Sequence, residues 1–331
     1  MVKSFTFIDL FAGIGGMRIP FDRLGGECVF SSEWDSRAQD SYEANFGHRP
    51  SGDITKIDAR AIPGHDILLA GFPCQPFSIM GDKLGFADTR GTLFFDIERI
   101  LDAKRPTAFL LENVKQLVSH DGGKTFGVIR ESLTSRGYTV YTRVLNALDY
   151  GLPQKRERIM IVGFRDKLEF TWPEPRERVS LDQVLEPHDE VDASLFASEN
   201  IQQQRLARLR SEPPVPSIWH QNKGGNISAL PYSCALRAGA SYNYLLVDGK
   251  RRLSGREMLR LQGFPDDFKI VVPYTQIRKQ AGNAVPVKMI EAVARQMMNS
   301  LGYALPDEKP KTRRRNRQLR QSSSSTLALA G

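Results

Sequence analysis

The stretch FTFIDLFAGIGGM (residues 5–17) decides the fold, because it joins a strand pattern directly to a glycine-rich turn. Residues 5–11 are an apolar run typical of a buried β-strand. The glycines within residues 13–16 let the backbone turn and approach a ligand closely, and the N-terminus of a following helix favours polar or anionic groups. We therefore predict a strand, a turn and a helix, with a ligand bound at the turn.

The alternation of strand and helix patterns continues through the first 165 residues. The spacing of apolar residues predicts a helix over 93–104, and further strand patterns occupy residues 28–35, 66–73, 107–114 and 158–164. Such alternation predicts an α/β fold with a doubly wound, mostly parallel sheet that helices cover on both faces. Ligands of these sheets bind outside the carboxyl ends of the strands.

Two acidic residues follow strand patterns in a way that indicates a nucleoside. Glu33 lies about 20 residues beyond the glycines, where a carboxylate can accept both hydroxyls of a ribose. Asp53, in the tripeptide GDI, can reach an exocyclic amine. The cofactor is therefore predicted to be NAD or S-adenosylmethionine. The glycines lack the full G-x-G-x-x-G spacing, and an ordinary tight turn is the alternative for them.

Cys74 differs from the other two cysteines of the chain in its surroundings. It lies between Pro73 and Pro76 in GFPCQPFSIM (residues 71–80), which indicates a rigid loop at a strand end. Such a loop can present a nucleophile, and a nearby arginine would favour the reactive thiolate. Cys28 and Cys234 are predicted to be inert, because free cysteines are usually small buried hydrophobic residues.

Glu112 and the segment QKRERI (residues 154–159) supply the other chemical groups. Glu112 ends an apolar run, and a carboxylate at that depth needs partners or a raised pKa. Alternate residues of a strand share a face, so Gln154, Arg156 and Arg158 are predicted to point at one pocket. A thiol, a carboxylate and an arginine do not form a hydrolase triad, and no histidine is placed as a base.

The second half of the chain indicates a smaller, irregular domain followed by helices. Residues 170–250 are rich in Pro, Ser, Gln and Asn, with weak periodicity. Helices are predicted over 253–264, with Ser254 as N-cap, and over 288–301, packing back onto the first domain. The predicted units are a catalytic domain (1–186), a second domain (187–257), the C-terminal part of the catalytic domain (258–305) and a basic disordered tail (306–331).

The composition is that of a soluble globular protein, with 40% hydrophobic and 25% charged residues among 331. No apolar run approaches the roughly 18 residues that span a bilayer, and no signal peptide is predicted. Three unclustered cysteines argue against a disulfide framework or a cysteine zinc site, so no metal is expected. Most of the net charge of +8 lies in the tail, which either is simply solvated or attracts phosphate non-specifically.

Eight short motifs, in this order along the chain, carry a resemblance to a known family. The sequence resembles the DNA (cytosine-5) methyltransferases of bacterial restriction-modification systems over residues 5–301. The PCQ motif followed by ENV and QxRxR is highly specific, whereas each short match alone is weak. The motifs are DLFAGIGG (9–16), EWD (33–35), GDI (52–54), GFPCQPFS (71–78), ENV (112–114), QKRER (154–158), REMLRLQGFPD (256–266) and GNAVP (282–286).

The resemblance implies a mechanism that these residue types can perform. Cys74 would add to C6 of cytosine, and Glu112 would hold or protonate N3 and contact the exocyclic amine. Arg156 and Arg158 would bind the base carbonyl and backbone and orient the carboxylate. C5 would take the methyl group of S-adenosyl-L-methionine, lose its proton and release Cys74. The base must be flipped out of the duplex, because its ring face is covered by stacking.

The resemblance also implies the lining of the cofactor site. Trp34 is expected to stack on adenine, with a core aromatic as the alternative. The expected cofactor-binding residues are Phe11, Ala12, Gly13, Ile14, Gly15, Gly16, Glu33, Trp34, Asp53, Ile54, Phe72, Pro73, Asn283 and Ala284.

Two stretches are expected to contact DNA. Residues 80–92 resemble the mobile loop that closes over DNA in this family, and an ordinary surface loop is the alternative. Residues 170–250 correspond to the target-recognition domain, but a base code needs geometry, so no recognition sequence is predicted. The candidate contacts are Ser78, Met80, Arg90, Lys223, Asn226, Arg237 and Tyr242.

The expected partner is double-stranded DNA, and the expected protein is a monomer in the bacterial cytosol, at the nucleoid, working beside a restriction endonuclease. A tRNA methyltransferase of the related class is the nearest alternative. A catalytically silent DNA-binding homologue is disfavoured by the presence of Cys74, Glu112, Arg156 and Arg158 together. An NAD dehydrogenase fits poorly, because the full dinucleotide fingerprint and a histidine for the hydride site are missing.

Overall fold

A computed structural model of the protein describes residues 4–73 and 93–306. Cys74, Ser78, Met80 and Arg90, and the tail from residue 307, lie outside the described residues. The first half of the chain forms β1 (Phe5–Leu10), α1 (Arg18–Arg23), β2 (Gly26–Ser32), α2 (Ser36–Phe46), β3 (Ile67–Gly71), α3 (Leu93–Lys104), β4 (Ala108–Val114), α4 (Lys124–Ser135), β5 (Thr139–Asn146), β6 (Gln154–Lys155) and β7 (Glu157–Phe164).

The second half contains shorter strands and the last helices. These are α5 (Glu199–Leu206), β8 (Ile218–Gln221), β9 (Ile227–Leu230), β10 (Ser233–Cys234), β11 (Leu245–Val247), α6 (Gly255–Gln262), α7 (Tyr274–Asn283) and α8 (Val287–Ser300).

A six-stranded sheet of order β2-β1-β3-β4-β7-β5 forms the centre of the molecule. Strands β2, β1, β3 and β4 are parallel, which confirms the α/β prediction, and β7 runs antiparallel to both of its neighbours. Strand β5 has no counterpart among the predicted strands. Most of its residues are only half-buried, because it is an edge strand, so it lacks the continuous apolar run of the central strands.

Hydrophobic clusters cover both faces of this sheet. On one face, α8 places Met289 and Val293 against the same cluster as Phe7 and Phe21. This contact confirms that the last helix packs back onto the first domain. On the other face, α3 and α4 pack over residues such as Leu68. Successive strand residues therefore point to opposite cores, as the pleat requires.

A separate three-stranded antiparallel sheet, of order β11-β8-β9, lies in the irregular part of the chain. Helix α6 packs with it through a third hydrophobic cluster. Ser254 is the N-cap of α6, as predicted, and forms a capping box with Glu257. Glu257 also accepts two hydrogen bonds, each of 2.8 Å, from the fully buried Arg251. This bidentate ion pair joins the start of α6 to the segment that follows β11.

Helix α7 docks on α2 and carries the GNAVP motif to the central sheet. Ser41 Oγ donates to Gln280 Oε1 at 3.0 Å, and Gln280 Nε2 donates to the Arg37 carbonyl oxygen at 2.8 Å. Gly282, at the end of α7, lies directly against the backbone of Ala238, where a Cβ atom would come within 2.3 Å of the Ala238 nitrogen. Only glycine allows this close approach.

Candidate active site and cofactor cavity

A cavity of about 670 Å³ lies at the carboxyl edge of the parallel strands. Its wall is built from segments that are far apart in the sequence, as the strand-end argument predicts. The predicted site residues that line it are Phe11, Ala12, Gly13, Ile14, Gly16, Glu33, Trp34, Asp53, Ile54, Phe72, Pro73, Glu112, Arg156, Arg158, Arg237, Asn283 and Ala284.

The glycine-rich turn after β1 forms one end of this cavity. Phe11 has a φ of 54° and Gly13 a φ of 54°, so the backbone adopts the left-handed conformation twice within three residues. That conformation is uncommon for a phenylalanine and typical of functional turns. Gly15, which is also expected in the cofactor site, does not line the cavity. Its φ is 83°, and a Cβ atom there would lie 2.2 Å from the Phe46 ring, so packing requires the glycine.

Glu33 is held beside this turn by backbone amides. One carboxylate oxygen accepts from the Gly13 nitrogen at 2.8 Å, and the other accepts from the Asp35 nitrogen at 2.8 Å. Burial raises the pKa of Glu33, and these two amide hydrogen bonds oppose the rise. Each carboxylate oxygen can accept a second hydrogen bond, so the group remains available to a ligand hydroxyl.

Trp34 is 80% exposed at the edge of the cavity, so the alternative of a core aromatic is wrong. The next residue, Asp35, caps α2 and pairs with Lys279 Nζ at 2.6 Å. No sequence pattern predicts this ion pair, since its partners lie 244 residues apart. Asp53 lines the cavity while its side chain accepts from the Thr55 amide and hydroxyl. Trp34 therefore offers an open aromatic face beside two anchored acids.

Glu112 and Arg158 line the cavity at β4 and β7, which β3 separates from β1 and β2 in the sheet. Arg158 Nε lies 2.8 Å from Glu112 Oε1, and both side chains are largely buried. Strands β4 and β7 are antiparallel, and Val114 lies opposite Arg158. Glu112 is two residues before Val114, so its side chain is on the same face of β4 and can reach Arg158. Burial raises the pKa of Glu112, and the charges of Arg158 and Arg156 oppose the rise. A carboxyl group with a raised pKa next to a cavity is suited to proton transfer near neutral pH.

Comparison with known proteins shows the family of this chain. Residues 5–299 match the family described as C-5 cytosine-specific DNA methylase. The chain belongs to this family. It is a DNA cytosine-5 methyltransferase.

Named relatives resemble the methyltransferase over nearly its whole length. The type II methyltransferase M.NgoBI of Neisseria gonorrhoeae is 64% identical over 86% of this chain and 90% of its own. The type II methyltransferase M.HaeII of Haemophilus aegyptius is 60% identical over 92% of this chain and 96% of its own. The crystal structure of S. pombe Dnmt2 is 19% identical, with a TM-score of 0.70 over 90% of this chain and 100% of its own. That last similarity concerns the fold alone.

Arg156 of the methyltransferase lines the cavity, as predicted, and its guanidinium is held by backbone carbonyl groups. Its guanidinium donates to the carbonyl oxygens of Leu236, Gly282 and Ala284, at 3.0, 3.0 and 2.7 Å. Burial lowers the pKa of Arg156 to about 9, and the neighbouring Arg158 charge adds to this effect, yet the group stays charged at neutral pH. Arg156 thus lines the cavity and joins three segments of its wall.

The prediction that Gln154 faces the same pocket is wrong. The strand is interrupted at Arg156, because β6 pairs with β10 whereas β7 pairs with β4 and β5. The alternation argument therefore does not carry across this residue. Gln154 is fully buried, donates to the Leu261 carbonyl oxygen at 2.8 Å and accepts from the Leu236 nitrogen at 3.1 Å.

Asn113 is a site residue of the methyltransferase that the sequence analysis missed. Its buried amide donates to the Phe72 carbonyl oxygen at 2.9 Å. Gly71 also lies opposite Glu112 in the β3–β4 register. Gly71 and Phe72 are therefore held beside Glu112 and Asn113. The ENV motif could have indicated this role, because Asn113 directly follows Glu112 at the end of an apolar run.

The candidate DNA contacts fall into two groups. Arg237 lines the cavity, and Tyr242 is exposed near it, with the Arg278 guanidinium carbon 4.1 Å from its ring centroid. Lys223 and Asn226 lie in the turn between β8 and β9 and do not line the cavity. Within residues 4–73 and 93–306, no helix is long and apolar enough to cross a membrane, and no group of His, Cys, Asp or Glu is arranged to hold a metal ion.

Proposed function

We propose that this DNA cytosine-5 methyltransferase transfers the methyl group of S-adenosyl-L-methionine to a cytosine flipped out of duplex DNA, through a covalent bond between Cys74 and C6. The observation that carries the proposal is the single cavity with Glu112 and Arg158 at one end and the Gly13–Glu33 turn at the other. The 60–64% identity to curated type II methyltransferases supports a role as the modification enzyme of a restriction-modification system.

The donors of the cavity fit S-adenosyl-L-methionine. Glu33 offers carboxylate oxygens for ribose hydroxyls, and Trp34 offers an exposed ring for an adenine. The cavity volume lies within the range of roughly 300–1,000 Å³ that small-molecule sites occupy. When bound, the cofactor supplies an electrophilic methyl group. Glu33, Trp34 and Asp53 would hold its nucleoside part, which leaves the Glu112 end of the cavity for the base.

Glu112 and Arg158 would bind the cytosine and prepare it for attack. Because burial raises its pKa, Glu112 can carry a proton and donate it to N3 as the Cys74 thiolate forms a bond with C6. The ring electrons then make C5 nucleophilic. After C5 has gained the methyl group, its proton passes to a base, the bond between Sγ and C6 breaks and Glu112 takes back the N3 proton. The enzyme is regenerated unchanged.

Recognition of the target would fall to residues 187–257, which we propose as the target-recognition domain inserted between the two parts of the catalytic domain. From this region Leu236 and Arg237 line the cavity, and its three-stranded sheet lies beside them along the chain. A modification enzyme of this kind would work in the bacterial cytosol as a monomer, with a restriction endonuclease cutting the same DNA sequence when it is unmethylated.

The test of the proposal is a methyl-transfer and trapping experiment. Wild-type protein is given radiolabelled S-adenosyl-L-methionine with duplex DNA or with tRNA. Label is expected in cytosine C5 of DNA only, and a stable protein–DNA adduct is expected with 5-fluorocytosine DNA, because fluorine cannot leave as a proton does. Cys74→Ala should abolish both transfer and adduct.

Cys28→Ala and Cys234→Ala are the matched controls. Burial raises the pKa of both thiols, that of Cys28 to about 12, so neither should be a thiolate at neutral pH. Both variants should therefore still be trapped. Undiminished methyl transfer by Cys74→Ala would refute the covalent mechanism, and label in tRNA alone would refute the DNA substrate.

A further inference from the structure

Arginine and tyrosine side chains form a partly exposed surface next to the cavity. We call Arg237, Tyr242, Arg252, Tyr274 and Arg278 the arginine–tyrosine patch. The Tyr242 and Tyr274 rings stack with centroids 6.5 Å apart and planes 27° apart. The patch joins the loop before β11, the segment before α6 and helix α7. It therefore lies where the proposed recognition domain meets the catalytic domain.

The three arginines of the patch carry positive charge with no carboxylate partner among the described residues. Several other arginines of the chain are paired with carboxylates, such as Arg260 with Asp266 at 2.6 Å and Arg136 with Asp102 at 2.9 Å. Like charges that are close together repel each other, and an anion placed among them removes this cost. A cluster of unpaired guanidinium groups is thus suited to binding a phosphate group.

The aromatic rings and backbone carbonyls hold two of these guanidinium groups in place. The Arg278 guanidinium carbon lies 4.1 Å and that of Arg252 5.6 Å from the Tyr242 ring centroid, so both share one ring. Arg278 also donates to the carbonyl oxygens of Ala240 and Ser241 at 3.1 and 3.2 Å. Arg252 Nε donates to the Leu195 carbonyl oxygen at 3.3 Å. These contacts use some of the five donors of each group and leave the others for a ligand.

Arg237 connects the patch to the cavity. It lines the cavity together with Leu236, whose carbonyl oxygen Arg156 holds at 3.0 Å. On the other side, Lys279 follows Arg278 directly in α7 and also lines the cavity. A DNA strand that delivers a base to Glu112 would therefore pass close to the patch.

We propose that the arginine–tyrosine patch binds a backbone phosphate of the DNA next to the target cytosine, with Arg252 and Arg278 as its principal contacts. This inference rests on the proposed function, since it takes duplex DNA as the substrate. The phosphate would fix the position of the strand while the base enters the cavity, and it would carry no sequence information.

The experiment measures how salt weakens the binding of a labelled duplex that contains a site methylated by the wild-type enzyme. The logarithm of the affinity falls linearly with the logarithm of the salt concentration, with a slope of about 0.9 for each phosphate contact. The double variant Arg252→Gln with Arg278→Gln should lower this slope by about 0.9. Arg252→Lys with Arg278→Lys should keep most of the slope, since the charges remain.

Arg130→Gln is the matched control, because Arg130 is exposed on α4, which packs against α3 and β5. It should leave the slope unchanged. The double variant loses the hydrogen bond from Arg252 to the Leu195 carbonyl oxygen. If this lowers its melting temperature, the slope is measured with Arg278→Gln alone. A wild-type slope in the double Gln variant would overturn this inference, as would a change in the methylated sequence. Failure of the wild-type protein to bind or methylate duplex DNA would instead refute the proposed function.

Discussion

The two ends of the cavity each hold a buried carboxylate, but by different means. Glu112 is held by a guanidinium group, with Arg158 Nε at 2.8 Å, whereas Glu33 is held by the neutral amides of Gly13 and Asp35, both at 2.8 Å. An ion pair makes protonation of the acid depend on nearby charge, which suits a group that exchanges a proton. Amide donors fix an acceptor without a counter-charge, which suits the binding of neutral hydroxyls.

The largest expected effect concerns Glu112, which is proposed to bind the cytosine. Glu112→Gln removes the proton donor while preserving the shape of the side chain, so kcat should fall about 10²–10⁴-fold, the usual contribution of a general acid or base. The dissociation constant of S-adenosyl-L-methionine, measured by calorimetry, should stay unchanged. Glu157→Gln, which breaks only the exposed ion pair with Lys115, is the control and should retain kcat. A weakened cofactor affinity in Glu112→Gln would mean that the two ends are not separate.

A smaller effect is expected at Glu33, where a substitution should change the affinity for the cofactor and not kcat. Glu33→Gln replaces the charged acceptor proposed for the ribose hydroxyls by a neutral amide, and hydrogen bonds to charged groups contribute roughly 1.5–3 kcal/mol. The dissociation constant of S-adenosyl-L-methionine should therefore rise about 10–100-fold, with kcat at saturating cofactor nearly unchanged. Glu43→Gln, on the exposed side of α2, should bind the cofactor normally.

The smallest expected effect concerns Asp9, a third buried acid, just before the glycine-rich turn. Both of its oxygens lack a hydrogen-bond partner among the described residues, and burial raises its pKa well above the usual range. The folded state thus keeps Asp9 protonated at pH values where the unfolded chain, with an aspartate pKa of about 3.9, has lost the proton. Folding stability therefore falls as the pH rises above that value, up to the raised pKa.

Asp9→Asn removes this ionisation and should raise the melting temperature by roughly 2 °C at pH 8, with a smaller gain or a loss at pH 4. Thermal unfolding at the two pH values measures the difference. Asp40→Asn, at an exposed ion pair with Arg49, should not show the same pH-dependent gain. An equal shift at both pH values would mean that Asp9 is ionised in the folded protein.

Local patterns in the sequence predicted the elements whose burial is continuous. The strand before the glycine-rich turn, the helix over 93–104 and the capping residue Ser254 lie where expected. The Glu112 prediction also depended on one strand alone, since an acid at the end of an apolar run is buried by its neighbours. These features are set by residues that are adjacent in the chain.

The features that the sequence could not predict depend on contacts between distant segments. The strand interruption at Arg156 arises because β6 pairs with β10, and nothing in QKRERI indicates that change of partner. The ion pair of Asp35 with Lys279 and the contact of Gly15 with Phe46 likewise need the fold to bring their partners together. Alternation within a strand holds only where the strand keeps the same neighbours.

The three hydrogen bonds of Arg156 have a consequence for how target specificity can change. All three acceptors are backbone carbonyl oxygens, at Leu236, Gly282 and Ala284, and every amino acid carries such an oxygen. These hydrogen bonds therefore do not depend on the identity of most side chains in the segments that Arg156 contacts. Side chains near Leu236 can therefore change while Arg156 still holds the segment. This would let enzymes with the proposed target-recognition domain differ in target sequence without a change in the cavity.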